Sequence, residues 1–181
     1  RGSEAYEEKA QRLIEIAEEH WEEGGIVGLS WHWGSPECNE NSYQNTKKAF
    51  DIDAALKEGT EEHKWLMRDL DIAANYLQIL KEKKIPILWR PLHEACGGWF
   101  WWSQEGRENL IQLWRFMFRY YTEEKKLNHL IWVYSASNKI QTDWFPGHDY
   151  VDILGVDLYD DEQMVNPENY QKLQSIAKGK P

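Results

Sequence analysis

Four short apolar runs recur along this chain, each followed by a helical pattern or a polar loop. They are 26-IVGLSWHW-33, 85-IPILWRPLH-93, 130-LIWVYS-135 and 151-VDILGVDLY-159. None alternates strictly, so each reads as a parallel strand buried on both faces. Between and around them lie amphipathic helices. Residues 4–25 carry the stripe Leu13, Ile14, Ala17 and Trp21 and stop at Gly24-Gly25. Residues 61–83 carry Leu66, Leu70, Ala73, Leu77 and Leu80, and further helices are predicted over 108–124 and 167–178. A chain of 181 residues with this alternation forms one α/β domain. It is either an open doubly wound sheet or part of a (β/α)8 barrel. No glycine-rich phosphate loop of standard spacing occurs, which favours the barrel. Four strands close no barrel, and ~200 residues or more are usual. The expected architecture is therefore a barrel segment, with residues 1–181 forming part of a single catalytic domain. Complementary segments from other chains, or from further parts of the same polypeptide, would complete it.

In either architecture the functional groups gather at the carboxyl ends of the strands. Those ends carry His32, His93-Glu94, Ser135, and Asp157 to Tyr159. The second end is the densest: 90-RPLHEACGGWFWW-102. A carboxylate that follows a buried strand costs several kcal/mol of desolvation unless it is partnered. Set among aromatic faces, Glu94 is suited to general-acid work, and Arg90 is a candidate partner. Regular strand geometry turns His93 to the opposite face, where a satisfied core histidine is an equal reading. Trp99, Phe100, Trp101 and Trp102 follow two glycines in a loop. They form either a core plug or a platform for stacking on flat, uncharged rings such as sugars. Trp31 and Trp33, flanking His32, would add to the same mouth. Asp157 and Tyr159 share strand parity and face one side of the sheet, with a structural pairing of Asp157 to Arg90 as the plainer reading.

Several classes are disfavoured. A net charge of −10 argues against nucleic acid, because phosphate binding needs a basic surface. No run of about 18 apolar residues predicts a membrane helix. No leader peptide is visible, which leaves the compartment open because a mature secreted chain has lost it. His32, His93 and Asp157 are not joined by any short ligand pair, so neither a metal nor another cofactor is expected. No GxSxG elbow points to serine chemistry. Cys38 and Cys96 are too few for a disulfide framework, and two free thiols are expected over a bridge between them.

Taken together, 24-GGIVGLSWHWGSP-36, 86-PILWRPLHEACGGWFWW-102, 130-LIWVYS-135 and 146-PGHDYVDILGVDLYD-160 resemble glycoside hydrolase family 26, the β-mannanase family. The resemblance runs along nearly the whole chain, and its WRPLHE…GGWFWW block is specific. It implies a secreted (β/α)8 barrel that hydrolyses β-1,4-mannosidic bonds with retention, acting on mannan or manno-oligosaccharides. By resemblance Glu94 is the acid/base at the end of the fourth strand. His93, and His32 at the end of the third strand, fall on positions that contact sugar or orient carboxylates. Trp99 matches the aromatic that stacks on a bound sugar. Asp157 and Tyr159, ending the sixth strand, match positions that hydrogen-bond around the cleavage site, the tyrosine near the nucleophile. With Trp33 and Arg90 these make up the expected substrate-binding set.

Departures from the pattern shape the expectation further. The family's nucleophilic glutamate belongs to a stretch that would begin just after Pro181, and the first two strands would precede Arg1. The chain thus reads as strands three to six. Where many relatives read SPD, it has 135-SAS-137, which weakens a polar binding role there. Retaining hydrolysis needs two carboxyl groups about 5–5.5 Å apart. Beside Glu94 the chain offers only Asp157 and the loop acids Glu37, Asp160 and Asp161, and none is a convincing nucleophile. Two rival readings follow. One is a non-catalytic carbohydrate-binding or engineered barrel fragment. The other keeps the family but acts on β-1,3-xylan or mixed-linkage β-glucan.

Overall fold

The computed structural model describes residues 4–159 and 166–181, so Asp160 and Asp161 lie outside the described residues. Among the described residues there are six α-helices and four strands: α1 (Glu4–Glu22), β1 (Val27–Ser30), α2 (Ile52–Ala55), α3 (Glu61–Glu82), β2 (Ile87–Arg90), α4 (Trp101–Gln104), α5 (Arg107–Arg119), β3 (Leu130–Ala136), β4 (Ile153–Val156) and α6 (Pro167–Ala177). The sheet is parallel throughout, in the order β1-β2-β3-β4. The order never reverses, as it must in a doubly wound sheet, so the strands form an arc of a barrel.

Local chemistry sets the element ends. Thr60 caps α3 by accepting from the His63 N–H at 3.1 Å, with Glu61 and Glu62 in the first turn. Asn166 caps α6 ahead of Pro167 at its first position. The second strand was expected to reach His93 but stops at Arg90, because Pro91 has no N–H to donate to a ladder. The helix expected over 108–124 is α-helical only to Arg119 and continues as a π-helical turn, Tyr120–Glu124. Two consecutive tyrosines cannot both face one side of an α-helix. The wider turn lets Tyr120 donate to Asp71 at 2.5 Å and Tyr121 to the Leu70 carbonyl at 3.1 Å, both on α3.

The core lies between the sheet and its helices. Val27, Ile87, Trp89, Leu130, Trp132 and Tyr134 point into it from the strands, against Leu66, Leu70, Ala74, Leu77 and Leu80 of α3 and Leu110, Leu113, Trp114 and Met117 of α5. Each such side chain contributes roughly 1.5–3 kcal/mol by leaving water. The other sheet face departs from expectation. Gly28 and Ser30 are exposed and Leu88, Ile131 and Val133 half-buried, so the strands are covered on one face only. On α1, Ile14 and Ala17 are buried, whereas Leu13 and Trp21 are exposed.

Candidate active site

The site is built on the loop that follows β2. Three backbone contacts fix it. The Glu94 N–H donates to Asp157 Oδ2 at 3.0 Å, the Ala95 N–H to the Ser135 carbonyl at 2.9 Å, and the Gly97 N–H to the Glu94 carbonyl at 2.8 Å. Glu94 itself is left-handed, at φ 51°, a conformation a non-glycine residue holds only when its surroundings demand it. The glycine that follows has its own reason. A Cβ on Gly97 would lie 2.4 Å from the Trp99 ring, so only glycine lets the indole fold back over the loop. Folded back, Trp99 donates from Nε1 to Glu94 Oε2 at 2.5 Å.

Glu94 as a whole is 7% exposed. Its second oxygen, Oε1, accepts from the Tyr159 hydroxyl. That hydrogen bond, aided by burial of the phenol oxygen, pushes the Tyr159 pKa up to about 12, so the phenol stays a donor at neutral pH. Beside it lies a second charged group. Arg90 Nη1 meets Asp157 Oδ1 at 2.6 Å, and the Ser135 hydroxyl donates to Asp157 Oδ2 at 2.7 Å. Parallel register explains the meeting. Ser135 pairs with Gly155, two residues before Asp157, so both side chains emerge on the face that Arg90 occupies.

His93 turns the other way. Its ring lies 4.9 Å from Phe100, 5.4 Å from Trp102 and 4.5 Å from the exposed His32, centroid to centroid. Burial first, then the neighbouring His32 and Arg90, lower its pKa to about 4 against the opposing pull of Asp157, so the ring is neutral at ordinary pH. Its Nδ1 is buried without a hydrogen-bond partner among the described residues.

The aromatic run divides. Phe100, Trp101 and Trp102 are buried as a core plug, with Trp101 Nε1 on the Trp33 carbonyl at 2.8 Å and Trp102 Nε1 on the His93 carbonyl at 3.2 Å. Only Trp99 of the four is partly open, so the core-plug alternative describes the other three and leaves one ring for a platform. Trp33, expected among the substrate contacts, is fully buried. Its Nε1 donates to Asp69 at 2.7 Å, Trp31 stacks on it at 4.1 Å, and no face of it is left for a sugar. Asp157, expected to reach a bound sugar, has both oxygens engaged within the protein by Arg90, Ser135 and the Glu94 N–H. Tyr159 and Trp99 meet on Glu94, and His32 lies at the exposed rim. The sequence pattern does not single out Asp69. Its only local signal was an acid inside the apolar side of α3.

Other expectations resolve simply. Both cysteines are free, with Cys96 Sγ buried against Ser137 Oγ at 3.4 Å and the Lys139 carbonyl at 3.3 Å. Glu37 pairs with Lys48 at 2.8 Å.

Comparison with known proteins bears on this geometry. The chain is 36% identical over 176 residues to a mannan endo-1,4-beta-mannosidase of Thermothelomyces thermophilus, covering 92% of this chain and 36% of that protein. A mannan endo-1,4-beta-mannosidase of Bacillus subtilis is 35% identical over 170 residues, covering 88% and 46%. The chain thus spans less than half the length of these curated relatives. Among solved structures, a beta-mannanase from a symbiotic protist of the termite Reticulitermes speratus, complexed with gluco-manno-oligosaccharide, superposes with a TM-score of 0.85 at 37% identity. The match covers 94% of this chain and 55% of that one. GH26A from a Muricauda species gives 0.86 at 34% identity, covering 95% and 60%. The four-stranded arc is accordingly a partial (β/α)8 barrel. The family model described as "Glycosyl hydrolase family 26" matches residues 3–181, and the chain belongs to that family.

Proposed function

We propose that residues 1–181 form the acid/base part of a single catalytic domain of a retaining endo-β-1,4-mannanase, secreted to act on a polymeric substrate. One observation carries the reading: a nearly buried glutamate at the end of a barrel strand, held by an indole N–H and a phenol, beside a half-open tryptophan. The relatives named as mannan endo-1,4-beta-mannosidases support the substrate class. In the first step the Glu94 carboxyl gives its proton to the glycosidic oxygen as the bond to the sugar's anomeric carbon breaks. A carboxylate from outside this chain attacks that carbon. In the second step Glu94 takes a proton from the water that releases the sugar. Asp157 is a poor candidate for the nucleophile because its oxygens are held by Arg90, Ser135 and a backbone N–H. His32, Arg90 and Trp99 line the sugar's approach, and complementary barrel segments supply the remaining strands.

The test is Glu94→Ala in the full-length polypeptide. Mannan hydrolysis should fall about 10²–10⁴-fold, the usual loss when general acid–base help is removed. An unchanged rate would remove Glu94 from the chemistry. Relative rates on mannan, β-1,3-xylan and mixed-linkage β-glucan check the substrate, with mannan expected to be the fastest.

A further inference from the structure

Ser135 is 3% exposed and lies on β3, opposite the loop that carries Glu94. It touches that loop by two routes. Its carbonyl accepts the Ala95 N–H at 2.9 Å. Its hydroxyl donates at 2.7 Å to Asp157 Oδ2, the oxygen that also accepts the Glu94 N–H at 3.0 Å. Both N–H groups that flank the left-handed φ of Glu94 therefore end on groups that Ser135 supplies or orients. A residue held in that region relaxes unless it is over-determined. Arg90 holds only the other carboxylate oxygen of Asp157, so without the Ser135 hydroxyl the carboxylate can swing about its Arg90 contact and release the Glu94 N–H.

We propose that Ser135 is a positioning residue for Glu94: its hydroxyl, through Asp157, holds the 93–94 peptide and its carbonyl directly holds the 94–95 peptide, in the turn that presents the Glu94 carboxyl. The inference rests on the acid/base role of Glu94 given above. It predicts a selective defect, because misplacing a general acid harms substrates whose leaving group needs a proton and spares those whose leaving group does not.

The experiment compares kcat/KM, which reports the first bond-breaking step, for the full-length polypeptide on mannan and on a dinitrophenyl β-mannobioside. Ser135→Ala should lose about tenfold on mannan, the worth of one hydrogen bond to a charged group, and less than about twofold on the activated glycoside. Ser135→Thr, which keeps the hydroxyl, should restore most of the loss. Ser135→Cys, a weak donor, should fall between, and it carries the same comparison if Ser135→Ala does not fold. Equal losses on both substrates, or no loss on either, would overturn the proposal. Glu94→Ala separates the two claims. If it too loses equally on both substrates, the acid/base role fails. If it is selective for mannan and the Ser135 variants are not, only the positioning role fails.

Discussion

At the scale of single residues, His93 makes the pH dependence of this fold readable. The ring is 3% exposed, and its pKa is lowered from 6.5 to about 4 by burial, with His32 and Arg90 adding to the effect and Asp157 opposing it. Above pH 6.5 the folded and unfolded rings are both neutral, and His93 adds no pH dependence. Between pH 6.5 and 4 the unfolded ring binds a proton that the folded ring refuses, so stability falls as the pH falls. Below pH 4 both rings are charged and the loss is complete, on the order of 3 kcal/mol. His129 is lowered to about 4 as well, by burial and then by Lys81, so it acts in the same direction. Urea midpoints of the full-length protein at pH 7, 5.5 and 4 should therefore decline, and His93→Gln should remove part of that decline. An identical slope in the variant would mean that His93 is not the group that titrates.

At the scale of elements, α3 and the segment after β1 are joined through one buried acid. Asp69 is 2% exposed and accepts from Trp33 Nε1 at 2.7 Å and from Arg68 Nε at 3.1 Å and Nη2 at 3.0 Å. Arg68 reaches on to the Pro36 carbonyl at 2.5 Å, and burial lowers its pKa. Asp69→Ala would strand an indole N–H and a partly buried guanidinium, which costs about 2–4 kcal/mol in equilibrium unfolding. Asp69→Asn keeps an acceptor and should cost less; equal losses in both would place the effect elsewhere. This junction also marks where the sequence stops being legible. Hydrophobic period is a local property, so the strand–helix alternation, the barrel reading and the placing of Glu94 and Asp157 at strand ends could be read directly. Partners 36 residues apart are not local, and nothing around Trp33 distinguishes an indole pinned by Asp69 from one lining a mouth. The run from Trp99 to Trp102 fails for the same reason. Glycine spacing shows that a loop turns there, but α4 then buries Phe100, Trp101 and Trp102 and leaves Trp99 alone on the acid.

At the scale of the whole molecule, what matters is the surface the sheet leaves uncovered. Among the described residues β1 pairs only with β2, and β4 only with β3 apart from the Leu154 N–H donating to the Pro181 carbonyl at 2.9 Å. An apolar groove between α1 and α3, lined by Leu13, Ile14, Leu29, Trp31, Leu77 and Trp89, runs along the free edge of β1. Ile26 is 73% exposed at the start of that edge, and Leu88, Ile131 and Val133 lie half-buried on the concave face. Unpaired strand edges beside open apolar surface recruit other chains, because pairing satisfies their backbone groups and removes that surface from water together. Residues 1–181 produced alone should therefore self-associate, and sedimentation should show species larger than 21.6 kDa that grow with concentration. Adding a polypeptide that carries the remaining strands of a family 26 barrel should reduce that association and yield a complex of defined stoichiometry. A lysine at Leu29, on the groove side of β1, should weaken self-association and complex formation together, because both need the same edge. If the isolated chain sediments as a monomer and unfolds cooperatively, its concave face is stable in water and the need for complementary segments falls away.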